Sequence, residues 1–144
     1  MSTSSRMTVA THALTWMAWV CPKRPDGIVT SEQIASSVKT NPVVIRRVLG
    51  SLRAAGLVES QRGQGAGWRL TRNPESITLR DVYLAVEPDP LIALHAAPPN
   101  QDCPVGRGIP PVLRDVYDRA EESMKTELAA VTIADVARET VPGT

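Results

Sequence analysis

Thr30-Ser-Glu-Gln-Ile-Ala-Ser-Ser-Val-Lys-Thr-Asn-Pro-Val-Val-Ile-Arg-Arg-Val-Leu-Gly-Ser-Leu-Arg-Ala-Ala-Gly56 reads as helix, tight turn, helix. Thr30 to Gln33 has the form of a capping box, in which hydroxyl and amide side chains satisfy the first orphan amides of a helix. Ile34, Ala35 and Val38 give that helix a small apolar face, and Lys39-Thr-Asn41 leaves room only for a short turn. Asn41 is suited to cap the next helix and Pro42 to open it, because the first helical position needs no amide donor. That helix is expected to run to Ala55, with Gly56 as its left-handed C-terminal residue.

The second of these helices divides its faces. Ile45, Val48, Leu49, Leu52 and Ala55 share a core stripe, while Val43, Arg46, Arg47, Gly50, Arg53 and Ala54 recur on the opposite side. The outward side holds three arginines, small residues and no acid of its own. An inert solvated face normally mixes charge signs. Arginine's planar fork can take a phosphate or a guanine edge with two hydrogen bonds, so this ridge is expected to bind nucleic acid. Gly50 costs about 1 kcal/mol of helix propensity and fits a surface that something approaches closely.

Immediately downstream, Leu57–Arg62 and Trp68–Arg72 alternate weakly as two strands around Gly63-Gln-Gly-Ala-Gly67. The glycines permit positive φ, and Arg62 and Gln64 are expected to project at the tip. A nucleotide-phosphate loop does not fit, because the G-x-G-x-x-G spacing, a following helix and a Lys-Ser/Thr pair are all missing. Helix, turn, helix and hairpin in this order make a winged helix.

Upstream, a helix over residues 6–20 carries Val9, Ala13, Trp16, Met17 and Val20 on one stripe, widened by Ala10, Leu14 and Ala18. Pro22 and the Pro25-Asp-Gly27 turn end it. Downstream, Thr78 to Asp81 is another capping box, opening a helix to about Glu87. A Pro-rich loop over 88–109 is expected next. A long helix then runs from Pro110 to about Ala130, with Val112, Leu113, Val116, Ala120, Met124 and Leu128 as its apolar stripe. Thr132 to Asp135 opens a short final helix. The expected fold is mainly α with a small β-hairpin wing. Its units are a winged helix-turn-helix over 1–87, the loop over 88–109, and a dimerisation helix with a C-terminal helix over 110–144. A two-fold dimer through the long helix places two recognition helices on a palindromic duplex.

A length of 144 residues suits one domain or a small domain with an appendage. Phe is absent, and the aromatics are Trp16, Trp19, Trp68, Tyr83 and Tyr117, so the core must be aliphatic. The net charge of +1 hides an asymmetry. Residues 39–80 carry eight bases and two acids, whereas residues 81–144 carry five bases and eleven acids. A cationic middle segment argues for a polyanion partner there. Two cysteines, Cys21 and Cys103, exclude a disulfide scaffold and a four-cysteine zinc site. No apolar run approaches the ~20 residues of a membrane helix, and the opening Met1–Arg6 lacks the form of a signal peptide. The expected location is the cytoplasm, with both thiols reduced.

Several stretches together resemble the BadM/Rrf-two winged-helix transcription regulators of bacteria. They are Asn41–Leu49, Leu52–Val58, Ser60–Leu70, Ile77–Tyr83, Cys103–Gly106 and Thr132–Val136, in that order. The resemblance implies a homodimer that represses nearby genes until a signal releases it. It also implies DNA contacts from Asn41, Pro42, Val43, Arg46 and Arg47 on the recognition helix, and from Arg62, Gly63, Gln64 and Gly65 on the wing. Several members hold an iron–sulfur cluster on three closely spaced cysteines before the dimerisation helix. Here that segment has Cys103 alone, which cannot fill a usual cluster coordination, so the resemblance is to the cluster-free branch and no cofactor is expected. Cys103 is then a candidate redox sensor, and Cys21, among apolar residues, a structural thiol.

The leading expectation is thus a homodimeric, sequence-specific DNA-binding regulator released by a small-molecule or redox signal. Lys39, Arg53, Arg62 and Arg69 supply phosphate contacts, and Asn41, Arg46 and Arg47 read base edges. The alternative is a winged-helix protein-interaction module that does not bind DNA. Catalysis by Cys103 with His95 as base has little support, because the chain has only His12 and His95 and no nucleophile elbow.

Overall fold

The computed structural model describes residues 4–143. Residues 1–3 and 144, the ends of the first and last expected units, lie outside the described residues. Six α-helices and one hairpin follow in the order α1 (Arg6–Val20), α2 (Ser31–Val38), α3 (Pro42–Ala54), β1 (Val58–Gln61), β2 (Gly67–Leu70), α4 (Leu79–Val86), α5 (Pro104–Ala129) and α6 (Ile133–Thr140).

Local chemistry sets the ends of these helices. Thr30 Oγ1 accepts the Gln33 amide proton at 3.1 Å, and the Thr30 amide donates to Gln33 Oε1 at 3.0 Å. The same reciprocal pair recurs between Thr78 and Asp81 and between Thr132 and Asp135. Asn41 Oδ1 accepts from the Val43 amide at 2.8 Å, with Pro42 as the first residue of α3. Gly56, at φ +80°, turns the chain from α3 into the hairpin.

Helix α1 lies at the centre. Ala10, Ala13, Leu14 and Met17 are fully buried and meet Ile34 of α2, Ile45, Leu49 and Leu52 of α3, and Val82 of α4 in one core. Burying each of the larger of these side chains contributes about 1.5–3 kcal/mol, and truncating one costs about 2–5 kcal/mol. Among the described residues the aliphatic side chains carry this core, with Tyr83 as its one buried aromatic and Trp16, Trp19 and Trp68 half-buried around it.

Strands β1 and β2 pair antiparallel, with Val58 opposite Leu70 and Gln61 opposite Gly67. A third segment joins them. Val29 bridges Trp68, donating its amide to the Trp68 carbonyl at 3.0 Å and accepting the Trp68 amide at 2.7 Å.

Two differences from the sequence expectation concern the C-terminal third. The long helix begins at Pro104, not near Pro110, so the expected loop over 88–109 ends at Cys103 and Pro110 and Pro111 lie inside α5. The two rings remove the amide donors that would otherwise serve the Gly106 and Arg107 carbonyls, and α5 continues through them. The start of the helix is held by Asn100, whose carbonyl accepts from the Cys103 amide at 3.3 Å. A Cβ on Gly106 would collide with that same carbonyl, so glycine is required there. The second correction is to the grouping of the final helix with the dimerisation helix. Helix α6 packs on α1, Ile133 is fully buried in the shared core, and Thr78 bridges Thr132. Only α5 projects, with no buried residue along its 26. It is tied to α4 where Tyr83 Oη donates to Glu121 Oε1 at 3.1 Å.

Candidate nucleic-acid interface

Helix α3 turns Ile45, Val48, Leu49 and Leu52 into the core and leaves Val43, Arg46, Arg47, Arg53 and Ala54 exposed. Ala55, expected on the core stripe, is exposed as the helix ends. Arg47 has no partner for its guanidinium among the described residues, and neither has Arg62 at the hairpin tip. Arg46 differs. Its Nη1 lies 3.1 Å from Glu32 Oε1 on α2, so the fold brings an acid to a ridge that has none in its own helix. Both partners are about half exposed or more, and such a pair contributes about 0–1 kcal/mol.

Asn41 is also engaged: its Oδ1 caps α3, leaving its amide nitrogen as the free end. Lys39 occupies the turn between α2 and α3 at φ +63°, ψ +53°, the only non-glycine at positive φ among the described residues. Its side chain is exposed. Its backbone amide still donates to the Ala35 carbonyl at 2.8 Å, so α2 stops and the chain reverses within two residues.

The wing is fixed at its base and open at its tip. Gly63 and Gly65 adopt φ of +85° and +76°, and residues 61–66 are all exposed. Arg53 links recognition helix to wing: its Nη1 donates to Ser60 Oγ at 3.1 Å, and its guanidinium carbon stands 5.8 Å from the centre of the Trp68 ring. Trp68 in turn donates its indole proton to Ser31 Oγ at 3.1 Å, at the first residue of α2. Arg69 is paired with Glu59 directly across the hairpin and is therefore less available than expected.

Sequence reasoning missed the residues that position the wing: Val29, Ser31, Trp68 and Gly67. A Cβ on Gly67 would sit 2.5 Å from both Ile28 Cγ2 and the Val29 carbonyl oxygen. The glycine at the end of the alternating Gly-x-Gly-x-Gly run was the one available signal, because the turn itself needs only the first two.

Cys103 stands half-buried at the N-terminal cap of α5, and Cys21 half-buried at the end of α1. Burial pushes the Cys21 thiol up, partly offset by Arg24. Along α5 the stripe stays open: Val112 and Val116 are exposed at 63% and 44%, Ala120 is exposed, and Leu113, Met124 and Leu128 are half-buried. No helix among the described residues is long and apolar enough to cross a membrane.

A family model described as Rrf2, an iron-dependent transcriptional regulator, matches residues 3–139. The chain belongs to the Rrf2 family. Bacillus subtilis YwnA, which bears the name of an HTH-type transcriptional regulator, is 37% identical over 134 residues, 92% of this chain and 95% of that protein. Rhodopseudomonas palustris BadM, also named as an HTH-type regulator, is 33% identical over 112 residues, 78% of this chain and 68% of its own. A crystal structure described as a DNA-binding protein shares 35% identity at a TM-score of 0.73, covering 92% of this chain and 98% of its own. A Lactobacillus plantarum regulator shares the fold at a TM-score of 0.78 and 24% identity, covering 96% of this chain and 92% of its own. The protein is therefore a winged-helix DNA-binding transcription regulator of the Rrf2 family. An iron–sulfur cluster held on three closely spaced cysteines before α5 does not fit this chain. Cys103 is the sole cysteine near α5, and no group of three His, Cys, Asp or Glu side chains comes together among the described residues.

Proposed function

We propose that this Rrf2 protein acts in the cytoplasm as a homodimeric repressor of a palindromic operator, released by a small-molecule or redox signal. It is a binding protein, not a catalyst. The observation that carries this reading is the open ridge of α3, where Arg47 and Val43 stand exposed opposite a fully buried Ile45 and Leu49. Arg47 and Arg46 read base edges, with Asn41, Pro42 and Val43 at the leading end. Lys39, Arg53, Arg62 and Arg69, with the wing backbone at Gly63, Gln64 and Gly65, contact phosphates. Arg46 must leave Glu32 to do so, a small cost for an exposed pair. The half-open stripe of α5 supports a second copy as its partner, with Val112, Leu113, Val116, Ala120, Met124 and Leu128 across the contact.

The test is an Arg46→Ala, Arg47→Ala double variant, titrated against fragments selected from the source genome, with self-association followed by sedimentation. Binding should weaken by about 2–6 kcal/mol, the sum for two good bidentate contacts, with the dimer unchanged. Unchanged affinity and site choice would show that α3 does not read the duplex. Affinity that does not fall with salt would point instead to a protein partner.

A further inference from the structure

On the face of α1 turned toward α6, the molecule holds a cavity of about 630 Å³. Trp16 and Trp19 of α1, Leu79 of α4, Leu128 of α5, and Val136 and Ala137 of α6 form its apolar walls. Its size falls within the roughly 300–1,000 Å³ typical of small-molecule sites. No Asp, Glu, Lys or Arg lines it. His12 and Ser37 are its exposed polar rim, with His12 Nε2 and Ser37 Oγ 2.9 Å apart. Lys23 Nζ lies 3.9 Å from the centre of the Trp19 ring and holds it in place.

A second observation concerns hydrogen bonding. Thr11 Oγ1 and Trp19 Nε1, both on cavity-lining residues, are the only buried side-chain polar atoms without a hydrogen-bond partner among the described residues. Native proteins contain few such groups, and each is costly. Both are hydrogen-bond donors, and the indole nitrogen can do nothing else. A threonine hydroxyl can turn toward the cavity about a single bond.

We propose that this cavity binds a flat, uncharged, largely aromatic small molecule bearing one oxygen acceptor. The indole walls supply stacking surface, and the oxygen is met by the exposed His12–Ser37 pair at the rim and by the Thr11 hydroxyl once it turns. Charged ligands are disfavoured because burying a charge among these apolar walls costs more than the exposed Lys23 beside Trp19 returns. Ser37 lies in the last turn of α2, two residues before Lys39 begins the reversal into α3, so an occupant sets the spacing of α1, α6 and the helix-turn-helix together. That regulatory consequence rests on the DNA-binding reading; ligand binding itself does not.

The probe is 2-naphthol, titrated into the full chain without DNA and followed by calorimetry and saturation-transfer NMR. Naphthalene and 2-naphthoate serve as controls. Saturable 1:1 binding per chain is expected, at least about threefold tighter for 2-naphthol than for naphthalene, the gain from one hydrogen bond. The naphthoate should bind weakest. Ala137→Phe fills the cavity and should weaken binding tenfold or more. Thr8→Trp narrows its mouth from an exposed position on α1, away from the core, and should do the same if Ala137→Phe fails to fold. No saturable binding by the wild type, or binding that neither variant changes, overturns the proposal. So does loss of self-association in Thr8→Trp, which would give the cavity to a second copy. Operator affinity is then compared with and without 2-naphthol. Binding of the probe alongside normal operator binding that the probe leaves unchanged refutes the regulatory link only. Absence of operator binding without the probe refutes the DNA reading and leaves the ligand site standing.

Discussion

Replacing Gly67 by alanine tests how the wing is held. The added Cβ would lie 2.5 Å from the Val29 carbonyl oxygen and from Ile28 Cγ2. The oxygen cannot give way cheaply, because it accepts the Trp68 amide at 2.7 Å and the partner bond from Val29 to Trp68 is 3.0 Å. Losing the bridge removes two hydrogen bonds, each contributing about 0.5–1.5 kcal/mol. Residual crowding against buried Ile28 and Val29 adds about 1 kcal/mol, at the lower end of overpacking costs. The expected destabilisation is about 2–4 kcal/mol, or a fall in Tm of roughly 5–15 °C for a chain of this size. Gly65→Ala is the control. It adds a Cβ with nothing within 4 Å, so only the φ of +76° opposes it, at a cost of about 1–2 kcal/mol. Both are measured by urea denaturation followed by tryptophan emission. A Gly67→Ala variant that loses under about 0.5 kcal/mol, or no more than Gly65→Ala, would refute the claim that close approach rather than turn geometry demands this glycine.

Other outcomes follow from the same structure. Lys39→Gly should stabilise the protein by up to about 1 kcal/mol in a denaturant titration, by relieving the left-handed turn, while reducing the salt slope of operator binding by about one if Lys39 meets a phosphate. Tyr83 is pushed up by burial and by its bond to Glu121. Its stabilising contribution is therefore complete below the ordinary tyrosine range near pH 10 and lost as pH rises through its folded value, so Tyr83→Phe should flatten alkaline unfolding curves and cost about 1 kcal/mol at neutral pH. Asp135 is held below the usual carboxylate range by the Thr132 amide and hydroxyl, with Arg138 assisting. The stability it confers is present above its unfolded value near 3.9 and lost as pH falls through its folded value; Asp135→Asn should lessen the acid sensitivity of the thermal midpoint.

Local chemistry was legible wherever a few adjacent residues decide it. The capping boxes at Thr30, Thr78 and Thr132 and the Asn41-Pro42 entry into α3 stand where the residues indicated, because each is settled within four positions. The exposed side of α3 was legible for the same reason. Pairings between distant segments were not. Val29 joins the wing as a single residue with no alternating run around it, and only the crowding at Gly67 betrays the contact. Glu32 reaches Arg46 from another helix, so counting acids along α3 alone missed it. The long helix was started too late because Pro110 and Pro111 were read as its opening residues, whereas the helix already begins at Pro104 and runs through both. The docking of α6 on α1 depends on Ile133 finding a core more than a hundred residues away in the chain, which no local pattern announces.

The projecting helix has a mechanical consequence. Its 26 residues form a rod about 39 Å long, roughly the span of one turn of duplex. With its C-terminal part tied to the body by the Tyr83–Glu121 bond and by the Leu79 amide donating to the Val131 carbonyl at 2.9 Å, a tilt of about 5° at that end displaces the other by about 3.4 Å, the rise of one base step. In the proposed dimer, a lever of that length would turn a sub-ångström change near its pivot into a displacement of one base step at its far end.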